Sequence, residues 1–510
     1  MPRLACCLAL GLWSALLWAA EPPAKPAEPA GKVIRDHWDA ASLEGNRAGY
    51  IRTVVREVER DGKKYYHTTI TLDLTLRRFQ EIIRQQMESG TVETADGVVT
   101  GVWMSQTLGR DQKLQLQGVV KGEDALQVKV TGPMSMEKTI RWDPKVVGLY
   151  REQQLFKEKN VKAGDSFSYL HYEPLINAVV TVQVAVKDAE DVHINGKKEK
   201  LLRAEATPLP IMGVQLPVTH FWLGADLLPV RSQVEMAGLG KLTLVRTTKE
   251  NALAPVTPAK ITDIGLTQLM TLNRRIANPH QQDAIVYKLT LPADEEPSKA
   301  IAADGRQTIK NAKGKSFELH VKAQRKPEPM KDAAPAAEEF LKSNYFINSD
   351  DAKVKELAKQ AVGKETDPWQ KAVRIERWVH NNMRSQNFTE AMATADHVAK
   401  TLEGDCTEYA MLTAAMCRAA GVPARTALGF VYVDMPKAPV FGYHMWTEVY
   451  VQGQWLGLDA TLGRGSIGAA HIKITDHSWH DTRSLAPLLP VMRVMLGKAA
   501  VEVIRADGME

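Results

Sequence analysis

The chain has 510 residues, which is too long for a single hydrophobic core, so several domains are expected. Hydrophobic residues make up 44% of it and charged residues 25%, an ordinary globular composition that excludes wholesale disorder. A formal net charge of +5 over this length, without a long basic block, gives no reason to expect nucleic acid as a partner.

The first segment has the pattern of a secretory signal peptide. Arg3 precedes an apolar run that ends at Ala20, and a proline-rich stretch follows. We therefore predict a signal peptide at residues 1–20, a linker at 21–32, and a periplasmic or secreted protein that can associate with the cell envelope. The residues at the −3 position of the expected cut are large, so an uncleaved membrane anchor is the alternative.

Residues 33–250 are dominated by strand patterns. Asp61-Gly62 is typical of a two-residue hairpin turn, and the apolar residues at positions 70–76 alternate with polar ones. This pattern predicts a large antiparallel β domain with one buried face. No cluster of titratable residues stands out in it, so the sequence suggests no chemistry for this part of the chain.

Two further linkers divide the rest of the chain. We predict a small β-sandwich at residues 261–325, an α+β domain at 338–490 and a C-terminal tail at 491–510. Asp367 can cap the helix that opens with Pro368 in the α+β domain. The fold class predicted for the whole chain is therefore multidomain, with two β domains followed by an α+β domain.

The segment at residues 404–421 predicts a helix with almost no polar face. Asp405 is a candidate N-cap, and Gly421 is placed to end the helix in the left-handed conformation. Cys406 then lies in the first turn, where free backbone N–H groups and the helix dipole favour a thiolate. Cys417 lies too far along the same helix for a disulfide, and we interpret it as a small buried hydrophobic residue.

A predicted hairpin supplies partners for this thiol. If Gln452-Gly453 is a two-residue turn, His444 and Asp459 are diagonal neighbours on one face, near enough for a carboxylate–imidazole hydrogen bond. A three-residue loop would turn Asp459 to the opposite face. The predicted catalytic residues are therefore Cys406 as nucleophile, His444 as base and Asp459 as the group that orients the imidazole.

Other polar and aromatic residues near this region are consistent with structural roles. Trp446 shares the predicted face of His444 and could wall a cleft, but a core aromatic is equally consistent with the sequence. His471, His477 and His480 have a loose metal-like spacing without any further ligand motif, so we interpret them as surface or core histidines and expect no metal or other cofactor.

Four segments in order resemble the transglutaminase-like superfamily. They are Gly-Asp-Cys-Thr-Glu-Tyr-Ala at 404–410, Ala-Ala-Gly-Val-Pro-Ala-Arg at 419–425, His-Met-Trp-Thr-Glu-Val at 444–449 and Trp-Leu-Gly-Leu-Asp-Ala-Thr-Leu-Gly at 455–463. The resemblance implies a papain-like fold with Cys at a helix start and His and Asp on adjacent strands. Ala460 stands where many members have proline, and nothing matches the calcium-dependent animal enzymes outside the triad.

Residues and resemblance together predict a thiol enzyme that acts on peptide or protein amides. A thioester on Cys406 would be resolved by water, as in a peptidase or amidase, or by an amine, as in crosslinking. The alternative is a non-catalytic binding or scaffold protein with a degenerate transglutaminase-like core. The intact triad favours the enzyme, and the large N-terminal sheet without evident chemistry favours the scaffold.

Overall fold

The structure is a computed structural model that describes residues 31–506 apart from residues 79–80, 108–112, 132–135, 212, 331–332, 387–391 and 481–485. The predicted signal peptide and nearly all of the predicted linker at 21–32 lie outside the described residues. Within the described part of the chain, every helix is too short or too polar to cross a lipid bilayer.

An antiparallel sheet of fourteen strands forms the N-terminal half. Its strands are β1 (Lys32–Leu43), β2 (Asn46–Arg60), β3 (Lys63–Arg78), β4 (Glu81–Thr94), β5 (Val99–Thr107), β6 (Lys113–Lys121), β7 (Ala125–Thr131), β8 (Met136–Arg141), β9 (Ser166–Glu173), β10 (Ala178–Ile194), β11 (Lys197–Pro208), β12 (Thr219–Leu223), β13 (Pro229–Met236) and β14 (Gly240–Thr247). The helices beside it are α1 (Leu149–Glu158), α2 (Lys249–Ala252) and α3 (Ile264–Thr267).

Neighbouring strands of this sheet include the short hairpin that the sequence predicts at Asp61-Gly62. Asp61 and Gly62 both have positive φ, 51° and 69°, and join β2 to β3. Leu72, Leu74 and Leu76 of β3 are buried on the inner face. The strand order β8-β7-β6-β5-β4-β3-β2-β1-β14-β13-β12-β11-β10-β9 follows mostly from sequential hairpins, and the antiparallel β domain of the prediction is confirmed.

The C-terminal half contains the remaining strands and helices. The strands are β15 (Met270–Thr271), β16 (Ala284–Thr290), β17 (Gln307–Lys313), β18 (Ser316–Lys322), β19 (Ser385–Gln386), β20 (Glu403–Gly404), β21 (Ala424–Asp434), β22 (Pro439–Val451), β23 (Gln454–Leu458), β24 (His471–His477) and β25 (Ala500–Ala506). The helices are α4 (Ala352–Val362), α5 (Pro368–Asn382), α6 (Ala395–Thr401), α7 (Cys406–Ala419) and α8 (Leu489–Leu496). Short 3-10 turns lie at Pro258–Lys260, Pro279–Gln281, Pro297–Lys299, Glu338–Phe340 and Ala486–Leu488.

These strands form two main sheets that pack on each other. One has the order β15-β22-β21-β24 with β23 paired to β22, and the other has the order β17-β18-β16-β25. Tyr287 of the small sheet contacts Phe441 of the larger one with ring centroids 5.4 Å apart, and its hydroxyl donates to the Ala469 carbonyl at 3.1 Å. The second layer of the predicted sandwich is therefore the sheet of the α+β domain.

Strand β25 corrects the prediction of a C-terminal tail at residues 491–510. It pairs antiparallel with β16 from Ile285 to Thr290, and Val501 and Val503 are buried in the shared core. The end of the chain therefore returns to a sheet whose other strands precede the α+β domain. The remaining domain limits stay predictions.

Helix α7 is the buried centre of the α+β domain. Asp405 caps it by accepting from the Thr407 N–H, and Glu408 completes a capping box with the Asp405 backbone. The helix ends at Ala419, and Gly421 has a φ of 78°. The interior of α7, including Cys417, is fully buried between α4, α5 and β22, so the all-round apolar pattern is confirmed.

Candidate active site

Cys406 is the first residue of α7 and is half-buried, whereas Cys417 is fully buried. The backbone N–H groups of this first turn have no partners within the helix, and the positive end of the helix dipole points at the sulfur. Burial raises the pKa of the Cys417 thiol. The two thiols of the described chain therefore differ in access and in environment, as the sequence predicts.

The hairpin has the register on which the predicted site depends. Val451 pairs with Gln454 and Thr447 with Leu458, so the connection is the two-residue turn Gln452-Gly453. Both turn residues have positive φ, 52° and 88°. Strand β23 ends at Leu458, which places Asp459 immediately beyond it.

His444 and Asp459 are joined by a hydrogen bond. The His444 Nε2 atom lies 2.8 Å from Asp459 Oδ2, and the side chains are 9% and 2% exposed. Thr447 of the same strand donates to the Ala410 carbonyl of α7 at 3.0 Å, which fixes β22 against the helix that carries Cys406. Cys406 also interacts with this imidazole and contributes to raising its pKa, so the three predicted residues lie close together.

The protonation of His444 and that of Asp459 depend strongly on each other. Burial alone would lower the pKa of His444, but the Asp459 carboxylate and the Cys406 thiolate together outweigh it and raise that pKa well above its ordinary value. Burial would likewise raise the pKa of Asp459, yet the contacts with His444 and His471 hold it well below its usual range. The arrangement stabilises the imidazolium form of His444 beside the Asp459 carboxylate.

Sequence reasoning missed His471 as a member of this group. It begins β24, is fully buried, and places Nε2 at 2.9 Å from the same Asp459 oxygen that binds His444. The other oxygen of Asp459 accepts from the Thr461 N–H at 3.0 Å and from its hydroxyl at 2.6 Å. No local motif could reveal this contact, because β24 reaches the site only through its pairing with β21.

The ring nitrogens of the two histidines and a carboxylate oxygen of Asp459 lie within 4.8 Å of one another, close enough to share a divalent ion. However, Nε2 of His444 and Nε2 of His471 both face Asp459 Oδ2 at hydrogen-bond distance. We therefore interpret the cluster as a hydrogen-bonded one and not as a metal site. Trp446, 1% exposed, stacks on His444 with centroids 6.3 Å apart, so it is a core aromatic that supports the imidazole.

A second residue missed by the sequence comes from the N-terminal sheet. Arg78, the last residue of β3, places Nη1 at 2.7 Å from Asp405 Oδ2, directly before Cys406 in the chain. Asp405 is 2% exposed, and the carboxylate therefore relies on protein partners. No local sequence pattern could predict this contact, because Arg78 and Asp405 are more than three hundred positions apart in the sequence.

A half-buried thiol at a helix start, next to a histidine and an aspartate on a neighbouring antiparallel sheet, defines the papain-like class of α+β domains. Residues 355–460 match the family model of the transglutaminase-like superfamily. The chain therefore contains a domain of that superfamily, and the resemblance noted from the sequence is confirmed.

Similar proteins cover only parts of the chain. An uncharacterized protein from Haemophilus influenzae is 37% identical over 97 residues, 18% of this chain and 26% of the relative, so the match spans about a quarter of that relative's length. The crystal structure of a proposed cysteine protease from Cytophaga hutchinsonii aligns over 45% of this chain and 90% of its own, with 17% identity and a TM-score of 0.30. A β-barrel-like protein of unknown function from Brucella abortus aligns over 42% of this chain and 95% of its own, with 13% identity and a TM-score of 0.32.

Proposed function

We propose that the protein is a thiol acyl enzyme that acts on peptide or protein amides through a thioester on Cys406. The observation that carries the proposal is the hydrogen bond between Asp459 and His444, an imidazole whose pKa is raised by Asp459 and by the neighbouring Cys406. A buried carboxylate held by four donors stays charged, and it keeps the imidazole in the orientation that serves the sulfur.

The reaction begins when the Cys406 thiol gives its proton to His444 and the resulting thiolate attacks the amide carbonyl. The carbonyl oxygen becomes an oxyanion, and the Cys406 backbone N–H at the helix start is placed to donate to it. The tetrahedral intermediate collapses, the C–N bond breaks, and His444 protonates the leaving amine or ammonia. What remains is a thioester between Cys406 and the acyl group.

A second nucleophile then releases the acyl group. His444 takes a proton from water or from a lysine-type amine, the nucleophile attacks the thioester, and the thiol is regenerated. Water gives hydrolysis and an amine gives a crosslink, and both outcomes use the same acyl-enzyme. Both outcomes therefore require the thioester, and the product depends on which nucleophile reaches it.

Selective alkylation tests the nucleophile. The protein is treated with iodoacetamide at neutral pH, and the adducts are mapped by mass spectrometry. Cys406 should label faster than a free model thiol such as glutathione, and His444→Ala should remove this advantage, while the buried Cys417 stays largely unlabelled. Labelling of Cys406 no faster than the model thiol would instead support the non-catalytic scaffold.

A coupled substrate test identifies the acceptor. A glutamine-containing peptide is offered together with a labelled primary amine, and ammonia release and amine incorporation are both measured. Ammonia with incorporation indicates crosslinking, and ammonia without it indicates hydrolysis. Cys406→Ala is the control, and activity that survives in this variant would contradict the proposal.

We further propose that the protein is exported, because residues 1–20 have the pattern of a signal peptide. Cell fractionation followed by N-terminal sequencing tests this proposal. A chain cut near Ala20 in the periplasm or medium would support it. An intact N-terminus on membrane-bound protein would support the anchor, and intact protein in the cytosol would contradict both.

A further inference from the structure

The end of strand β3 reaches the C-terminal half of the protein. Strand β3 ends at Arg78 and β4 begins at Glu81. Arg77 contacts this half at the end of β3: its backbone N–H donates to the Thr262 carbonyl at 3.2 Å and its guanidinium donates to the Pro258 carbonyl at 2.7 Å. Successive side chains of a strand point to opposite faces, so Arg78 is directed away from these contacts.

The Arg78 side chain reaches the start of helix α7. Its guanidinium contacts the Asp405 carboxylate at 2.7 Å and is 27% exposed. The other oxygen of Asp405 accepts from the Thr407 N–H at 2.9 Å, so the same side chain caps the helix and binds Arg78. The ion pair thus links the N-terminal sheet to the residue that immediately precedes the nucleophile.

The charged groups around Cys406 come from several elements. Its own helix contributes Asp405 and Glu408, β22 contributes His444 with Asp459 behind it, and β3 contributes Arg78. Burial opposes the charge of Arg78, but Asp405, Cys406 and Glu408 together raise its pKa. Burial raises the pKa of Glu408 well above its ordinary value. Without Arg78, a buried and uncompensated Asp405 carboxylate would stand next to the thiolate and disfavour it.

We propose that Arg78 is a positioning residue of the active site, which neutralises Asp405 and thereby keeps Cys406 in its reactive thiolate form. The inference rests on the proposed function of Cys406. The N-terminal sheet is then a functional part of the catalytic site, because the site is complete only when the end of β3 places Arg78 against the start of α7.

The test measures the rate of Cys406 alkylation by iodoacetamide against pH in the full-length protein. The variants are Arg78→Met, Arg78→Lys, Asp405→Asn and the double variant Arg78→Met/Asp405→Asn. Arg77→Met is the control from the same end of β3, and it retains the backbone hydrogen bond to Thr262. Asparagine retains the cap of α7 but removes its charge. Thermal unfolding of each variant shows which of them are folded.

Arg78→Met should move the midpoint of the alkylation profile upward by about one pH unit and lower the neutral-pH rate by about tenfold. Arg78→Lys should retain most of the native profile, and the double variant should return to it, because the charge that needs neutralising is gone. Arg77→Met should leave the profile unchanged.

Three outcomes would overturn the inference: an unchanged profile in Arg78→Met, a loss that Asp405→Asn does not restore, or an equal loss in Arg77→Met. The second of these would show that Arg78 only holds the two halves together. Failure of the proposed function would be recognised separately, since Cys406 in the native protein would then react no faster than a free model thiol such as glutathione.

Discussion

Asp459 is the residue that connects the side chains of the site to one another. One oxygen binds two histidines from different strands, and the other binds the Thr461 backbone and hydroxyl. A carboxylate satisfied in this way cannot rotate to a competing partner without losing charge-assisted bonds. The orientation of the His444 imidazole therefore depends on His471 as well as on Asp459.

Replacing His471 tests this dependence. Phenylalanine at this position fills a similar volume but removes the donor to Asp459, and we expect roughly tenfold slower alkylation of Cys406 at neutral pH. Glutamine retains an N–H donor and should recover much of the rate. Equal losses in His471→Phe and His471→Gln would indicate a packing role and contradict the hydrogen-bonding one.

Glu376 of α5 gives the protein a pH-dependent stability. It is fully buried, one oxygen accepts from the Gly465 N–H at 3.0 Å, and burial raises its pKa from 4.5 to about 7. The folded state therefore binds this proton more tightly than the unfolded state does. Stability from this group is complete below pH 4.5 and falls as the pH rises to about 7, by up to about 3 kcal/mol.

Glu376→Gln should remove this slope while retaining an acceptor for Gly465. Urea unfolding of both proteins at pH 5 and pH 8 measures the effect. The free energy of unfolding should decrease less between these pH values in the variant than in the native protein. Parallel decreases in the two proteins would show that other groups cause the pH dependence.

At the scale of elements, the site depends on close contact between β21 and its two neighbours. Gly429 of β21 pairs with His444 on one side and with Lys473 on the other. A Cβ atom on Gly429 would lie 1.9 Å from the Ile472 carbonyl oxygen, a backbone atom that cannot move without displacing β24. Because β24 begins with His471, this spacing also sets the distance from His471 to Asp459.

Gly429→Ala should therefore destabilise the protein by roughly 3 kcal/mol or more, since overpacking against backbone forces a strand to shift. Gly442→Ala is the matched control on β22, where the nearest atom to an added Cβ is a Leu269 side-chain carbon at 3.5 Å. We expect it to cost less than about 1 kcal/mol. Similar midpoints of thermal unfolding for the two variants would contradict the argument.

Local patterns were sufficient for the elements that carry the predicted triad. The capping residues of α7 and the positive-φ turn at Gln452-Gly453 are decided within a few residues of sequence, so the position of Cys406 and the register of the hairpin could be predicted. His471 could not, because its approach to Asp459 depends on the long-range pairing of β24 with β21. The contact between Arg78 and Asp405 depends on how two distant parts of the chain pack together, and no periodic pattern in the sequence predicts such packing.

At the scale of the whole molecule, the chain is not a simple series of independent domains. Strand β25 closes the small sheet whose other strands precede the α+β domain, and the core of that sheet continues into β21, β22 and β24. The pairing partners of the last strand lie about two hundred positions earlier in the chain and leave no trace in the local sequence. The assignment of residues 491–510 to a tail failed for this reason.

The contribution of β25 can be measured with two adjacent residues. Val503 is 1% exposed and packs in the core shared by the two sheets, whereas the next residue, Ile504, is 42% exposed. Val503→Ala should lower the free energy of unfolding by about 2 kcal/mol, the cost of two buried methyl groups and a small cavity. Ile504→Ala deletes more atoms but should cost less than about 0.5 kcal/mol, because most of them are already in water. If the last strand were a dispensable tail, both variants would unfold at the same urea concentration as the native protein.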